Sequence, residues 1–140
     1  MIIMSVDFGD ARTGIAVCDK LEMLASPVTV IKEYNFDTCI QKVSLLAQEL
    51  KAQEIIVGLP LNMNGTEGER AEKCKIFADK LSKEVTASVM LWDERSTTVL
   101  AHNYLNATNT KGKKRKDVVD AVAAVIILEN YLEYRKNHKN

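Results

Sequence analysis

Residues 1–18 of the chain read MIIMSVDFGDARTGIAVC, and this stretch decides the fold. The apolar run at its start, which Asp7 closes, predicts a buried strand over residues 1–8, and residues 14–18 are predicted to be its hairpin partner. Gly9 and Gly14 allow the connecting turn to bend sharply and to approach a ligand closely. Arg12 lies in the same turn, and its planar guanidinium suits a phosphate group. The opening therefore predicts a β-hairpin that presents a carboxylate, Asp7, at the rim of a sheet.

The spacing of apolar residues predicts the remaining elements. A third extended segment covers about 24–31, where Pro27 suggests an irregularity or an edge strand. One-sided apolar spacing predicts helices, and short apolar runs that end at turn residues predict buried strands. In chain order these are a helix from Asn35 or Asp37 to about 52, a strand over 54–58, a helix over about 69–83, a strand over 87–92, a helix from 96 or 97 to about 105, a loop over 106–115 and a long helix over about 116–135.

This order of elements predicts one α/β domain over residues 1–140, with a mixed five-stranded sheet and helices on both faces. The opening hairpin favours an antiparallel flank, whereas the later strands, joined through helices, favour parallel pairing. No repeat, low-complexity segment or linker indicates a second domain.

The composition is that of a globular protein and excludes several other classes. The chain has 140 residues, of which 46% are apolar and 27% are charged. No stretch approaches the roughly 18 to 20 uncharged apolar residues of a membrane span, and the first residues lack the pattern of a secretory signal. The three cysteines are odd in number and scattered, which favours neither a disulfide framework nor a zinc site. We therefore expect a cytoplasmic protein with no membrane partner.

Acidic residues occur at three places where an apolar segment ends or is interrupted. Asp7 ends the first strand, Asp93 and Glu94 follow the strand over 87–92, and Asp120 interrupts the apolar middle of the last helix. A buried charge is expensive unless it is paired or binds a metal, and clustered carboxylates suit divalent cations. Spacing alone does not decide between Asp93 and Glu94, because neighbours on a strand point to opposite faces. The pattern favours metal-assisted phosphodiester chemistry with Mg²⁺ or Mn²⁺.

A basic run precedes Asp120. Residues 111–116 carry five positive charges in six positions, although the whole chain balances 19 basic against 19 acidic residues. The run is either a solvated loop or a phosphate-binding loop, and the neighbouring acids favour the second interpretation. The candidate nucleic-acid contacts in this run are Lys113, Lys114, Arg115 and Lys116.

Four short motifs, taken in order, resemble the YqgF/RuvX family over residues 7 to about 128. They are Asp7-x-Gly9-x-x-Arg12-x-Gly14, Gly58-Leu59-Pro60 with Asn62 and Gly65, Asp93-Glu94-Arg95 followed by Thr97-Thr98, and Asp120-Ala121 in an apolar helix. The resemblance implies a ribonuclease H-like fold, related to the RuvC-type Holliday junction resolvases. Members of the family are described as nucleases that mature the 5′ end of the pre-16S rRNA during ribosome biogenesis.

The resemblance also implies roles for individual residues. Asp7, Glu94 and Asp120 correspond to catalytic, metal-binding acids. The chain departs from other members of the superfamily at Gly58-Leu59-Pro60, because classic relatives place an acid at the end of the fourth strand. The third carboxylate must then come from the neighbouring strand end. Arg12, Asn62 and Arg95 are further candidates for nucleic-acid binding.

The sequence leaves functions from other classes open. The missing acid at the end of the fourth strand is compatible with a non-catalytic nucleic-acid-binding factor of ribosome assembly. The relationship to RuvC is compatible with a DNA resolvase. The Asp-x-Gly hairpin also resembles that of actin-like and sugar-kinase ATPases, which close two such domains over a nucleotide. For partners we expect nucleic acid, with pre-rRNA favoured over branched DNA and a ribosomal precursor particle as a further candidate. Both a monomer and a homodimer are compatible with the sequence.

Overall fold

The computed structural model describes residues 1–62, 64–93 and 112–138, with side chains from residue 121 onward in the last range. These residues form five strands and three helices. In chain order they are β1 (Ile3–Asp7), β2 (Arg12–Cys18), β3 (Ala25–Lys32), α1 (Phe36–Glu49), β4 (Glu54–Leu59), α2 (Glu69–Ser82), β5 (Ser88–Asp93) and α3 (Gly112–Asn137).

The five strands form one mixed sheet in the order β3-β2-β1-β4-β5. β2 is antiparallel to both β1 and β3, whereas β4 is parallel to both β1 and β5. The prediction of a mixed five-stranded sheet is therefore confirmed. Because β1, β4 and β5 run in the same direction, their last residues Asp7, Leu59 and Asp93 lie along one edge of the sheet, which we call the carboxyl edge.

Helices cover both faces of the sheet, as predicted. α1 and α2 pack on one face around Phe77, whose ring stacks on Phe8 with a centroid distance of 4.6 Å. Complete burial of such a side chain contributes about 2–3 kcal/mol. On the other face, the apolar side of α3 packs against Ile3, Ala16 and Ile56. We call these surfaces the α1/α2 face and the α3 face.

Local signals in the sequence explain why α1 and β3 form where they do. Asn35 caps α1, because its side-chain oxygen accepts a hydrogen bond from the Thr38 N–H at 2.9 Å. The proline expected to mark an irregularity or an edge does both. Pro27 lies in the edge strand β3, next to a register shift between Ile15 and Ala16.

The predicted loop over 106–115 is wrong for its last residues. α3 begins at Gly112, so the basic run expected in a loop is helical from that residue onward. Lysine and arginine are good helix formers, and here that preference prevails over the mutual repulsion of the charges. The helix predicted over about 96–105 lies outside the described residues. Among those described, no helix is long and apolar enough to cross a membrane.

Candidate active site

The turn after β1 is held by side chains from α2 and β2. The Arg70 guanidinium donates a hydrogen bond to the Phe8 carbonyl oxygen at 2.9 Å. The Thr13 hydroxyl lies 3.4 Å from both the backbone nitrogen and the carbonyl oxygen of Gly9, and 3.5 Å from Cys39 Sγ. These contacts fix the backbone directly after Asp7, so that this carboxylate projects from a well-defined strand end.

Gly9 is required in this turn because the chain folds back onto it. A Cβ at Gly9 would lie 2.3 Å from the carbonyl oxygen of Arg12, which is a backbone atom that cannot rotate away. We expect Gly9→Ala to lower the free energy of unfolding by about 1–3 kcal/mol, because the turn must open to admit the methyl group. Urea unfolding followed by circular dichroism measures this change.

The matched control is Gly68→Ala at the N-cap of α2. A Cβ there would meet only the Asn62 side chain at 3.8 Å, which is an ordinary contact. We expect a loss of at most about 1 kcal/mol, from the weaker N-cap. Equal losses in the two variants would contradict the steric explanation for Gly9.

Asp7 lies on the α3 face of the sheet. Met4 and Val6 pack into the core of the α1/α2 face, whereas Ile3 packs against α3 and the Ser5 hydroxyl bonds to an α3 carbonyl oxygen. Since successive side chains on a strand alternate between faces, Asp7 belongs with Ile3 and Ser5. Its side chain is half-buried.

Glycines flank Asp7 on both neighbouring strands. Asp7 pairs with Gly14 of β2, and on β4 the residue after the partner of Val6 is Gly58. Paired residues on neighbouring strands present their side chains on the same face, so neither strand contributes a side chain beside the carboxylate. Gly14 and Gly58 therefore form a cradle around Asp7, which we call the glycine cradle.

The alternation along β5 separates Asp93 from Asp7. Leu91 packs into the core of the α1/α2 face, and Trp92 packs on the α3 face. Asp93 therefore belongs to the α1/α2 face, opposite Asp7. Glu94 and Arg95, the other predicted site residues of this motif, lie outside the described residues.

α3 runs antiparallel to β1 and starts near the carboxyl edge. Ser5 in the middle of β1 donates a hydrogen bond to the Ala124 carbonyl oxygen at 2.6 Å, and farther along the helix Tyr131 bonds to Glu54 at the first residue of β4. The part of α3 before Ala124 therefore extends toward Asp7. Position 120 lies one helical turn before Ala124, although its side chain is outside the described part. The predicted cluster of Asp7, Glu94 and Asp120 remains a prediction.

Arg12 and Asn62, the predicted nucleic-acid contacts in this part of the chain, both have structural roles. Arg12 is the first residue of β2 and pairs with Lys32. The Asn62 backbone N–H donates to the Thr66 carbonyl oxygen at 2.8 Å, and its side-chain amide donates to the Thr66 hydroxyl at 2.9 Å. These bonds hold the loop between β4 and α2 together, and they leave a second role in binding open.

Sequence reasoning missed Arg70. This exposed residue lies in the first turn of α2, and its hydrogen bond to Phe8 places a cation beside the turn that follows Asp7. Nothing in the local pattern reveals this position, because the contact joins residues 62 apart in the chain. Only the packing of α2 beside the end of β1 could have identified it.

Trp92 and the cysteines have core roles. Trp92 packs edge-on against Tyr131, with a centroid distance of 5.1 Å. All three cysteines are buried and none forms a disulfide. Burial raises the pKa of the Cys18 and Cys39 thiols, so both stay protonated at neutral pH. Among the described side chains, no group of three histidine, cysteine or acidic residues could hold a metal ion.

Comparison with known families identifies the chain. A family profile named RuvX, described as Holliday junction resolvase, matches residues 1–134. The chain belongs to the RuvX family. It is 44% identical over 135 residues to a protein of Halothermothrix orenii named "Putative pre-16S rRNA nuclease", with 96% of each chain covered. A protein of the same name from Clostridium tetani is 41% identical, covering 95% of this chain and 96% of the relative.

Solved structures confirm the ribonuclease H-like fold expected for this RuvX family member. RuvC of Thermus thermophilus in complex with a Holliday junction substrate superposes with a TM-score of 0.63 at 11% identity, covering 99% of this chain and 97% of that chain. The fowlpox virus Holliday junction resolvase gives a TM-score of 0.57 at 17% identity, covering 96% of this chain and 99% of that chain. The family resemblance inferred from the four motifs is thus confirmed.

Proposed function

We propose that this RuvX family member is a metal-dependent nuclease that processes the 5′ end of pre-16S rRNA. The observation that carries the proposal is the placement of Asp7. This half-buried carboxylate ends a central strand on the α3 face, with a glycine beside it on each neighbouring strand. Because β2 and β4 place no side chain beside this carboxylate on the α3 face, the arrangement favours binding of a metal ion and a phosphate group there. The names of the curated relatives support the choice of substrate.

The acids proposed for the site fit a hard divalent cation. Asp7, Glu94 and Asp120 offer only carboxylate oxygens, which suit Mg²⁺ or Mn²⁺ better than softer metals. Trp92 lies on the α3 face, and side chains two positions apart on a strand share a face. An extended backbone that continued past Asp93 would therefore place Glu94 on the same face as Asp7. Position 120 lies one helical turn before Ala124, on the part of α3 that extends toward the same edge, which supports the assignment of Asp120 to the site.

The chain's own residues would bind and orient the scissile phosphate. When bound, divalent cations supply the Lewis acid that activates water and stabilises the leaving oxygen. Asp7 would hold the metal ion from a strand end that Arg70 and Thr13 keep in place. Arg12 and Arg70 flank the turn after Asp7 and would neutralise charge that develops on the phosphate.

The start of α3 would hold the nucleic-acid backbone. The first turn of this helix contains no acidic residue but three cations, Lys113, Lys114 and Arg115, although a helix N-terminus favours negative charge. The basic run over 113–116 therefore opposes the helix dipole, and a polyanion bound there would relieve this cost. Because α3 starts near the carboxyl edge, the bound strand would pass close to Asp7.

Removing the charges of Lys113, Lys114 and Arg115 tests this contact. We expect the triple glutamine variant to bind RNA and DNA of any sequence more weakly. Each lost phosphate contact should also flatten the dependence of log affinity on log salt by roughly 0.7 to 0.9. Fluorescence anisotropy at several salt concentrations measures both quantities.

The matched control replaces Lys42, Lys51 and Lys83, which lie on or next to α1 and α2, by glutamine. This control loses the same charge and is expected to leave the salt slope unchanged. An unaltered slope in the α3 variant would show that the basic run does not contact the backbone. Lys116 is left intact, because it is the cation of the run nearest in sequence to Asp120 and would be close enough to the proposed acids to act in the transition state.

A cleavage assay tests the proposed activity and its substrate. The purified protein should cut an RNA that spans the 5′ end of the 16S sequence in Mg²⁺ or Mn²⁺, and it should be inactive in chelator. Preferential cutting of a four-way DNA junction would instead assign the Holliday junction resolvase activity after which the family is described. Metal-independent binding without cleavage would favour the second candidate function.

That second candidate is a non-catalytic factor of ribosome assembly. Gly58 and Leu59 at the end of β4 favour it, because the strand next to Asp7 ends without an acid. In either case the partner would be a pre-rRNA, free or in a precursor particle, and the location would be the cytoplasm.

A further inference from the structure

Ser5 ties together the two elements that carry Asp7 and Asp120. Its hydroxyl donates a hydrogen bond to the Ala124 carbonyl oxygen at 2.6 Å, and the side chain is fully buried. The bond joins the centre of β1 to α3 across 119 residues of sequence. Few buried side chains are polar in the described core, and a hydroxyl there is favourable only with a partner.

The neighbours of Ser5 allow the helix to approach the sheet closely. Ser5 pairs with Ala16 of β2, and Ala124 lies above them on α3. All three residues are small, so the backbone of α3 comes within hydrogen-bond distance of a strand side chain. The contact therefore fixes both the height of the helix above the sheet and its position along β1.

The same contact lies at a similar distance along the chain axis from each of the two proposed acids, Asp7 and Asp120. Asp7 follows Ser5 by two residues on the same face, which is about 7 Å along the strand. Position 120 precedes Ala124 by four residues, which is about 6 Å along the helix. Because α3 is antiparallel to β1, both steps lead toward the carboxyl edge. A shift of the helix at Ser5 would thus change the separation between the two acids directly.

We propose that Ser5 is a positioning residue that sets the distance between Asp7 and Asp120 for metal binding. The inference rests on the proposed function. A metal site tolerates misplacement of its ligands by only about 0.5 Å, so the loss of one supporting hydrogen bond should lower the affinity for the metal. The Ala124 carbonyl oxygen keeps its acceptor role within the helix after the hydroxyl is removed, so the fold should tolerate the change.

Titration calorimetry with Mn²⁺, without substrate, tests the proposal. We expect Ser5→Ala to weaken Mn²⁺ binding by about tenfold, while its melting temperature in chelator stays within a few degrees of wild type. Ser5→Cys, which keeps the volume and a weak donor, should show a smaller loss. It also serves as the test if the alanine variant does not fold.

Tyr131→Phe is the matched control. It removes a hydroxyl that ties α3 to the sheet through Glu54, but at the end of the helix away from Asp7. Burial and this contact raise the pKa of Tyr131 to about 12, so the phenol stays protonated at neutral pH and donates the hydrogen bond to Glu54. We expect a lower melting temperature and unchanged Mn²⁺ affinity.

The outcomes separate this inference from the proposed function. If wild type binds no Mn²⁺, or if Asp7→Asn binds it equally well, the metal-dependent function itself fails. If Asp7→Asn loses binding but Ser5→Ala and Ser5→Cys do not, only the positioning role is overturned. An equal loss of affinity in Tyr131→Phe would also overturn it, because general loosening of α3 would then explain the effect.

Discussion

Replacing Asp7 with asparagine is expected to lower metal-dependent cleavage by about a thousandfold without unfolding the protein. Loss of a metal-binding carboxylate removes about 4 kcal/mol of transition-state stabilisation, which corresponds to that factor. In chelator the melting temperature should equal or exceed that of wild type, because one charge would be removed from the proposed cluster of like charges. Single-turnover cleavage and a thermal melt measure the two quantities.

The matched control for this variant is Asp10→Asn in the same turn. Asp10 is exposed and forms an ion pair with Lys73 at 3.3 Å, which should contribute little to stability. We expect cleavage within about twofold of wild type, as for most exposed charges. Full activity in Asp7→Asn would exclude Asp7 as a metal ligand, and equal losses in both variants would indicate that the turn rather than the carboxylate matters.

A paired comparison of Glu94→Gln with Asp93→Asn is expected to give the second large effect. Asp93 belongs to the α1/α2 face, whereas the proposed site is on the α3 face. We therefore expect Glu94→Gln to lower cleavage by about a hundredfold or more and Asp93→Asn to change it by less than about threefold. Each variant removes one negative charge, at adjacent positions, so long-range electrostatic effects are the same in both and cancel in the comparison.

The dependence on metal concentration gives an independent readout of the same comparison. Glu94→Gln should shift the Mg²⁺ concentration for half-maximal cleavage upward, and Asp93→Asn should leave it unchanged. The reverse result would show that β5 presents Asp93 to the metal, and that the alternation inferred from Leu91 and Trp92 does not extend to the site.

Much of the fold could be predicted from the sequence because its signals are local. The Asn35 cap, the irregularity at Pro27 and the apolar face of α1 each depend on residues within one or two turns of each other. The start of α3 could not be predicted in the same way. A run of like charges is compatible with both a loop and a helix, and here the helix propensity of lysine and arginine prevailed.

The candidate site was predictable in its chemistry but not in its surroundings. The position of Asp7 at a strand end follows from the apolar run before it. The glycine cradle does not, because Gly14 and Gly58 become neighbours of Asp7 only through the pairing of three strands. Arg70 could not be found for the same reason. Spacing left Asp93 and Glu94 equivalent, and the face of Asp93 became evident only from the packing of Leu91 and Trp92.

The contact between Ser5 and Ala124 has a consequence for how the protein matures. It joins the first strand to the last helix of the described chain, so α3 can dock only after every other described element has been synthesised. Long-range contacts of this kind form late and slowly in folding. A partly synthesised chain would therefore hold Asp7 without its proposed partner Asp120. The topology would thus keep the proposed acids apart until α3 has been made and has docked on the sheet.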